Sequence, residues 1–220
     1  MARLEKLPAI QKSAEPFPYR AVAFDLDGTL YDQKRLRKIM AKRLMLHYLC
    51  HPFRIRELFL LQTFRKVRDR WEIYADQFED SPLSLDEQQY AYIASITGTN
   101  PSAVETVVKR WIYENPLSAL STCTNTELAS YIEELHKTGI PVCIVSDYPI
   151  PDKLKALNIC ADHLYAPGDE RAIELKPSPM GLKLLMEDLS LTPEEVLMVG
   201  DRDEKDGESA RRAGTDYVIL

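Results

Sequence analysis

No run of 18 or more apolar residues occurs in the sequence, so no transmembrane helix is expected. The segment Met1 to Leu7 alternates charge with short apolar residues and lacks the hydrophobic stretch of a signal peptide. Four cysteines, Cys50, Cys123, Cys143 and Cys160, are scattered without a C-x-x-C spacing. That pattern speaks against a metal cluster or a disulfide framework and for reduced thiols, so a cytoplasmic location is expected. A basic balance is also missing: 28 Lys and Arg stand against 34 Asp and Glu, a net charge of -6, which argues against a general nucleic-acid binder. What is present suffices for a core. Hydrophobic residues make up 45% and charged residues 28% of 220, which suits one domain, or one domain carrying a smaller insertion.

The net charge hides an asymmetry. Between Lys34 and Trp71 there are twelve Lys and Arg and two acids, Glu57 and Asp69, so this segment carries +10 and the rest of the chain -16.

Residues 1 to 18 hold Pro8, Pro16 and Pro18 and read as a lead-in of low order, with room for a short helix. Arg20 to Phe24 is an apolar run that ends in Asp-Leu-Asp-Gly-Thr, the pattern of a buried parallel strand closed by a turn. From Asp32 to about Glu114 the periodicity is helical. One helix is broken at Pro52, a second runs from about Arg54 to Phe78, a third spans Leu85 to Thr97, and a fourth opens on Asn100-Pro101 and runs to Tyr113. After Thr126 the pattern alternates. Helices are expected over Thr126–Thr138, Pro151–Leu157, Ser178–Leu189 and Asp206–Ala213, and strands over Pro141–Val145, His163–Tyr165, Val196–Val199 and Tyr217–Leu220. The outer parts thus read βαβαβ, an α/β fold with a doubly wound, mainly parallel sheet, and the middle reads as an all-helical insertion.

In open α/β sheets, ligands bind beyond the carboxyl ends of the strands. The residues there are Asp25 and Asp27 after the first strand, Ser146 after the second, and Asp201 with Asp206 after the Val196–Val199 strand; Lys176 lies in a loop before a helix. Several carboxylates converging on one point need a cation, and an all-oxygen set suits Mg²⁺ rather than zinc. A hydroxyl and an ammonium nearby suit phosphate. The residues therefore point to Mg²⁺-assisted phosphoryl transfer.

Four ordered motifs carry a family resemblance: Asp25-Leu26-Asp27-Gly28-Thr29-Leu30, Ser146, Lys176-Pro177 and Gly200-Asp201-Arg202-Asp203-Glu204-Lys205-Asp206. Together they resemble the haloacid dehalogenase superfamily, and the likeness covers the chain from about residue 19. It implies a Rossmann-like core over residues 19–31 and 121–220, with residues 32–120 as a mobile helical cap that excludes water and selects substrate. It implies Asp25 as the nucleophile that forms an aspartyl-phosphate, and Asp27 as the general acid and then base. Thr29 would fix the loop and touch phosphate, Ser146 would bind the phosphoryl oxygens, and Lys176 would neutralise the charge shared by Asp25 and the phosphoryl group. Mg²⁺ would be held by Asp25, the backbone carbonyl of Asp27, Asp201 and Asp206; Asp203 and Glu204 compete with Asp206 within the same loop. Dehalogenases of the superfamily lack an acid equivalent to Asp27, and phosphonatases carry Ala there. Asp27 therefore favours a phosphomonoester hydrolase acting on a small phosphorylated metabolite, with a phosphomutase or a non-catalytic regulatory protein as alternatives.

Two departures stand out. The superfamily commonly has Asn after the Ser of the second motif, whereas this sequence has Asp147, expected either to cap the Pro151 helix or to contact substrate. The sequence also ends at Leu220, directly after the last strand, where many relatives continue, so a short edge or a cut sequence is expected. The basic segment leaves three readings open: a solvated helical face, a roof that attracts an anionic substrate, or an amphipathic surface for anionic lipid or a partner.

Overall fold

The structure, a computed structural model, describes residues 4–10, 17–168, 171 and 174–220. Five strands are present: β1 (Ala21–Phe24), β2 (Val142–Val145), β3 (His163–Tyr165), β4 (Val196–Gly200) and β5 (Asp216–Ile219). The α-helices are α1 (Gln33–Cys50), α2 (Arg56–Asp69), α3 (Leu85–Thr97), α4 (Pro101–Val108), α5 (Leu117–Leu120), α6 (Thr126–Thr138), α7 (Pro151–Leu157), α8 (Met180–Leu189) and α9 (Glu208–Ala213). The chain divides into two compact units, Met1–Lys34 with Leu120–Leu220, and Arg35–Ala119.

All five strands of the first unit run parallel in the order β3-β2-β1-β4-β5. Strands β1, β2 and β4 are buried at every position, which is why they read as unbroken apolar runs. Side chains alternate between the two faces. Ala23, Cys143 and Met198 join Leu182 and Leu185 of α8 and Ala210 of α9 in one core cluster. Phe24 instead meets Tyr131 of α6, their ring centroids 6.5 Å apart, edge to face. Helices thus cover both faces of the sheet. Because the chain leaves β1 toward β2 and β3 and later returns on the other side to β4 and β5, the crevice at the carboxyl end of β1 is the switch point where such sheets bind ligands.

In the second unit, α2, α3 and α4 pack on one another around the buried Phe64, Ile93, Val104 and Val108. Local chemistry sets their ends. Ser84 and Glu87 form a capping box at the start of α3, and Asn100 caps α4 with Pro101 at its first position. Buried Arg68 reaches Asp86 at 2.6 Å and Gln89 at 2.7 Å, cross-linking α2 to α3. No described helix is long and apolar enough to cross a membrane.

Four elements differ from the sequence reading. The second helix ends at Asp69 rather than near Phe78, and two 3₁₀ turns, Trp71–Ile73 and Ala75–Phe78, follow. Trp71, Tyr74 and Phe78 recur at helical intervals, but the turns bring the Trp71 ring to 5.6 Å from Phe78 within this short segment. The fourth helix passes after Val108 into a wider π turn, Lys109–Glu114. The Asp206–Ala213 helix begins only at Glu208, because Asp203–Gly207 forms another π turn. The lead-in, where described, is anchored: Leu4–Lys6 is a 3₁₀ turn, Leu7 is buried, and Tyr131 donates to the Pro8 carbonyl at 3.0 Å. Residues 11–16 of that lead-in lie outside the described residues.

Candidate active site

The site assembles from the loops that follow β1, β2 and β4 and the loop before α8. The Asp25 amide donates to the Val199 carbonyl at 2.8 Å, so β1 is still paired to β4 when the chain reaches its first acid. Beyond it the chain curls. Gly28 has φ of 113°, and the amide of Leu30 closes the turn on the Leu26 carbonyl at 3.1 Å. A side chain at Gly28 would run into the Asp201 carboxylate, so this glycine gives both the turn and the close approach of the β4 loop.

Asp25 is buried, with Thr29 Oγ1 donating to its Oδ2 at 3.0 Å and Lys176 Nζ donating to its Oδ1 at 2.5 Å. The same ammonium donates to Asp206 Oδ1 at 2.6 Å and to the Val145 carbonyl at 3.2 Å. The other Asp206 oxygen accepts the amides of Asp201 and Arg202 at 3.1 and 3.0 Å. Carboxylate oxygens of Asp25, Asp201 and Asp206 all lie within 4.8 Å of one another. Asp203 and Glu204 turn away, to Arg211 at 3.0 Å and to Arg202 at 2.9 Å. The π turn separates the acids of this loop, sending Asp206 inward while Glu204 stays exposed.

Burial pushes the Asp25 carboxyl up to about 7; the Lys176 ammonium opposes this, while Asp206 and Asp27 add to it. Burial and then Asp206 also raise Asp201. Lys176 would be lowered by its burial, but the carboxylates of Asp25 and Asp206 hold it above the usual lysine range. Three carboxylates this close, with the Lys176 ammonium bridging two of them, form an all-oxygen set that fits a hard divalent cation.

Asp27 stands apart from that triad. Lys153 Nζ lies 2.5 and 2.7 Å from its two oxygens, Tyr31 donates its hydroxyl to Oδ1, and Ser146 Oγ lies 3.4 Å from Oδ2. Burial would raise this carboxyl, but the Lys153 charge and the hydrogen bonds from Lys153 and Tyr31 hold it below the ordinary carboxylate range. Its side chain is thus engaged by an ammonium and a phenol. Ser146 also accepts the Tyr148 amide at 3.1 Å, which orients the hydroxyl.

Lys153 and Tyr31 are the site residues that the sequence reading did not single out. Their signals were local. Tyr31 follows Asp27 by one helical turn of sequence, and Lys153 sits two residues after Pro151, which opens α7 and so fixes Lys153 in its first turn. Asp147 does not take the capping role expected of it. Its Oδ1 accepts the Lys176 amide at 2.8 Å, and no side chain caps α7, whose N-cap is Ile150.

A family model for haloacid dehalogenase-like hydrolases matches residues 19–214. The chain belongs to this hydrolase family. Phosphoglycolate phosphatase of Shigella dysenteriae serotype 1 is 26% identical to this hydrolase over 213 residues, 91% of this chain and 81% of that protein. The enzyme of the same name from Vibrio vulnificus is 35% identical over 86 residues, 38% of this chain and 37% of that protein. Among solved structures, L-2-haloacid dehalogenase from Xanthobacter autotrophicus superposes with a TM-score of 0.60 at 20% identity, covering 92% of this chain and 77% of that one. At that identity the likeness concerns the fold.

Proposed function

We infer that this hydrolase is a Mg²⁺-dependent phosphomonoesterase that works through an aspartyl-phosphate at Asp25 on a small phosphorylated metabolite. The observation that carries this reading is Asp27: a second carboxylate, beside Asp25 and separate from the metal triad, that a phosphate ester needs and a dehalogenation does not. The curated relatives named phosphoglycolate phosphatase support the same direction.

One oxygen of Asp25 attacks phosphorus as the ester P–O bond breaks, and the departing oxygen takes a proton from Asp27. Lys153 keeps Asp27 ionised before substrate arrives. A phosphate dianion entering beside it raises its proton affinity, and Asp27 takes up from solvent the proton that it then passes to the departing oxygen. Water then attacks the aspartyl-phosphate, Asp27 takes its proton, and the products are inorganic phosphate and free Asp25. Lys176, bonded to Asp25 before the reaction, balances the charge that Asp25 and the phosphoryl group share. Thr29 fixes the second Asp25 oxygen, so the carboxylate cannot rotate freely. Asp25, Asp201 and Asp206 would hold Mg²⁺, which when bound offsets phosphoryl-oxygen charge. The helical unit Arg35–Ala119 takes the role of the substrate-selecting cap in this proposal.

The test is release of phosphate from an aryl phosphate and from 2-phosphoglycolate, with Mg²⁺ and with chelator, by wild type and Asp25→Asn. Turnover that needs both Mg²⁺ and Asp25 is expected. Equal rates in wild type and variant, or halide release from 2-chloropropionate without any phosphatase activity, would sink the reading.

A further inference from the structure

The corner between α1 and α2 turns its apolar residues outward. Residues 49–56 are exposed without interruption, and Phe53 at 99% and Leu49 at 71% are among the most exposed large apolar side chains. Met45, Leu46, Ile55 and Phe59 are each more than half exposed around them. The corner is a built feature: Tyr48 donates to Glu57 at 3.1 Å, Arg54 binds Glu57 at 2.7 Å, and His47 stacks on His51 at 4.5 Å.

Helical spacing shows how charge is arranged behind this tip. On α1, Lys38, Lys42, Met45 and Leu49 recur at intervals of four, three and four, so they share one stripe, opposite the buried Leu36 and Met40. On α2, Phe59 and Lys66 share another, away from the buried Leu61 and Phe64, and Arg70 follows directly after the helix. Apolar residues thus lie at the corner, and ammonium and guanidinium groups lie further back along each helix. Lys42 is seven residues from Leu49, about 10 Å along the axis.

We propose that this corner docks the protein on the surface of an anionic lipid bilayer, with Phe53 and Leu49 inserted and the basic stripes at the level of the lipid phosphates. The segment Lys34 to Trp71 supplies the complementary charge, +10 by sequence in a chain of net -6, although Arg68 within it is buried against Asp86 and does not face the lipid. A second copy of the chain fits less well. A stable protein interface needs about 800 Å² from each partner over a shaped surface, whereas a fully exposed aromatic ring at a corner is a protruding wedge. The inference is independent of the catalytic reading, since none of these residues belongs to the active site.

The experiment is co-sedimentation of the full chain with vesicles of phosphatidylcholine alone or mixed with phosphatidylglycerol. The protein is expected in the pellet with the mixed vesicles at low salt, in the supernatant with phosphatidylcholine, and increasingly in the supernatant as salt rises. Leu49→Ser with Phe53→Ser should weaken partitioning about tenfold or more. Lys38→Gln with Lys42→Gln should weaken it and flatten the salt dependence. These positions are exposed, so circular dichroism and Tm should stay at wild-type values and report folding independently of activity. Three results would overturn the proposal: no pelleting with the mixed vesicles, equal pelleting with both vesicle types, or unchanged pelleting of the double Ser variant. A concentration-dependent dimer abolished by Phe53→Ser, without vesicle binding, would assign the corner to a second copy instead.

Discussion

Lys153 Nζ stands 2.5 and 2.7 Å from the two oxygens of Asp27, and neither side chain is more than 14% exposed. A pair this buried is stable because each charge satisfies the other, and removing one partner strands the remaining charge away from water. Lys153→Met should therefore cost about 3 kcal/mol of unfolding free energy. Adding Asp27→Asn should recover most of that loss, because the stranded charge is gone. Denaturant unfolding of the two single variants and the double variant measures the coupling. Additive losses would mean that the two side chains do not act as a pair.

The acidic cluster gives the metal-free protein a pH dependence of definite sign. The Asp25 carboxyl is held up to about 7 by burial, against an ordinary value of 3.8. An acid raised in the fold keeps its proton where the unfolded chain has lost it. Stability is thus greatest below the unfolded value and falls as pH rises through the folded value. A gap of that size bounds the loss at about 4 kcal/mol. In chelator, Tm should fall between pH 5 and pH 8, whereas Asp25→Asn should show a flatter profile and melt higher than wild type at pH 8. A flat wild-type profile would show that Asp25 titrates normally in the fold.

Gly28 tests how closely the β1 and β4 loops must approach. Alanine there meets both a φ of 113° and the Asp201 carboxylate, whose Cγ lies 2.8 Å from the position of the added carbon. Asp201 would have to move, and with it one member of the carboxylate triad. Gly28→Ala should raise the Mg²⁺ concentration for half-maximal activity by about tenfold or more. Wild-type Mg²⁺ dependence in this variant would mean that Asp201 is not needed where the structure places it.

These residues mark where the sequence was readable. Asp25, Lys176 and Asp201 stand at strand ends or in a loop beside them, so alternation of strands and helices was enough to bring them together. Asp206 could be chosen over Asp203 and Glu204 only through the resemblance, because the π turn that sends it inward leaves no periodic trace. Lys153 was not legible at all: one lysine in a short helix looks like any solvated residue until the fold swings α7 toward Asp27. The helical unit was legible by period, but the end of α2 was not, since Trp71, Tyr74 and Phe78 keep helical spacing through two 3₁₀ turns.

Asp147 separates two explanations by its variants. Its Oδ1 accepts the Lys176 amide at 2.8 Å, which ties the loop after β2 to the residue whose ammonium bridges Asp25 and Asp206. If that bond positions Lys176, the requirement is an acceptor oxygen and not a charge. Asp147→Asn should then keep kcat within about threefold, while Asp147→Ala should lower it by about tenfold or more, with KM little changed, because a small misplacement near the reacting atoms is costly. A residue that touched substrate would behave differently: Asn and Ala would both raise KM, and the loss would follow charge. Steady-state kinetics on the aryl phosphate with both variants decides between the two, and a shared rise in KM would remove the positioning role.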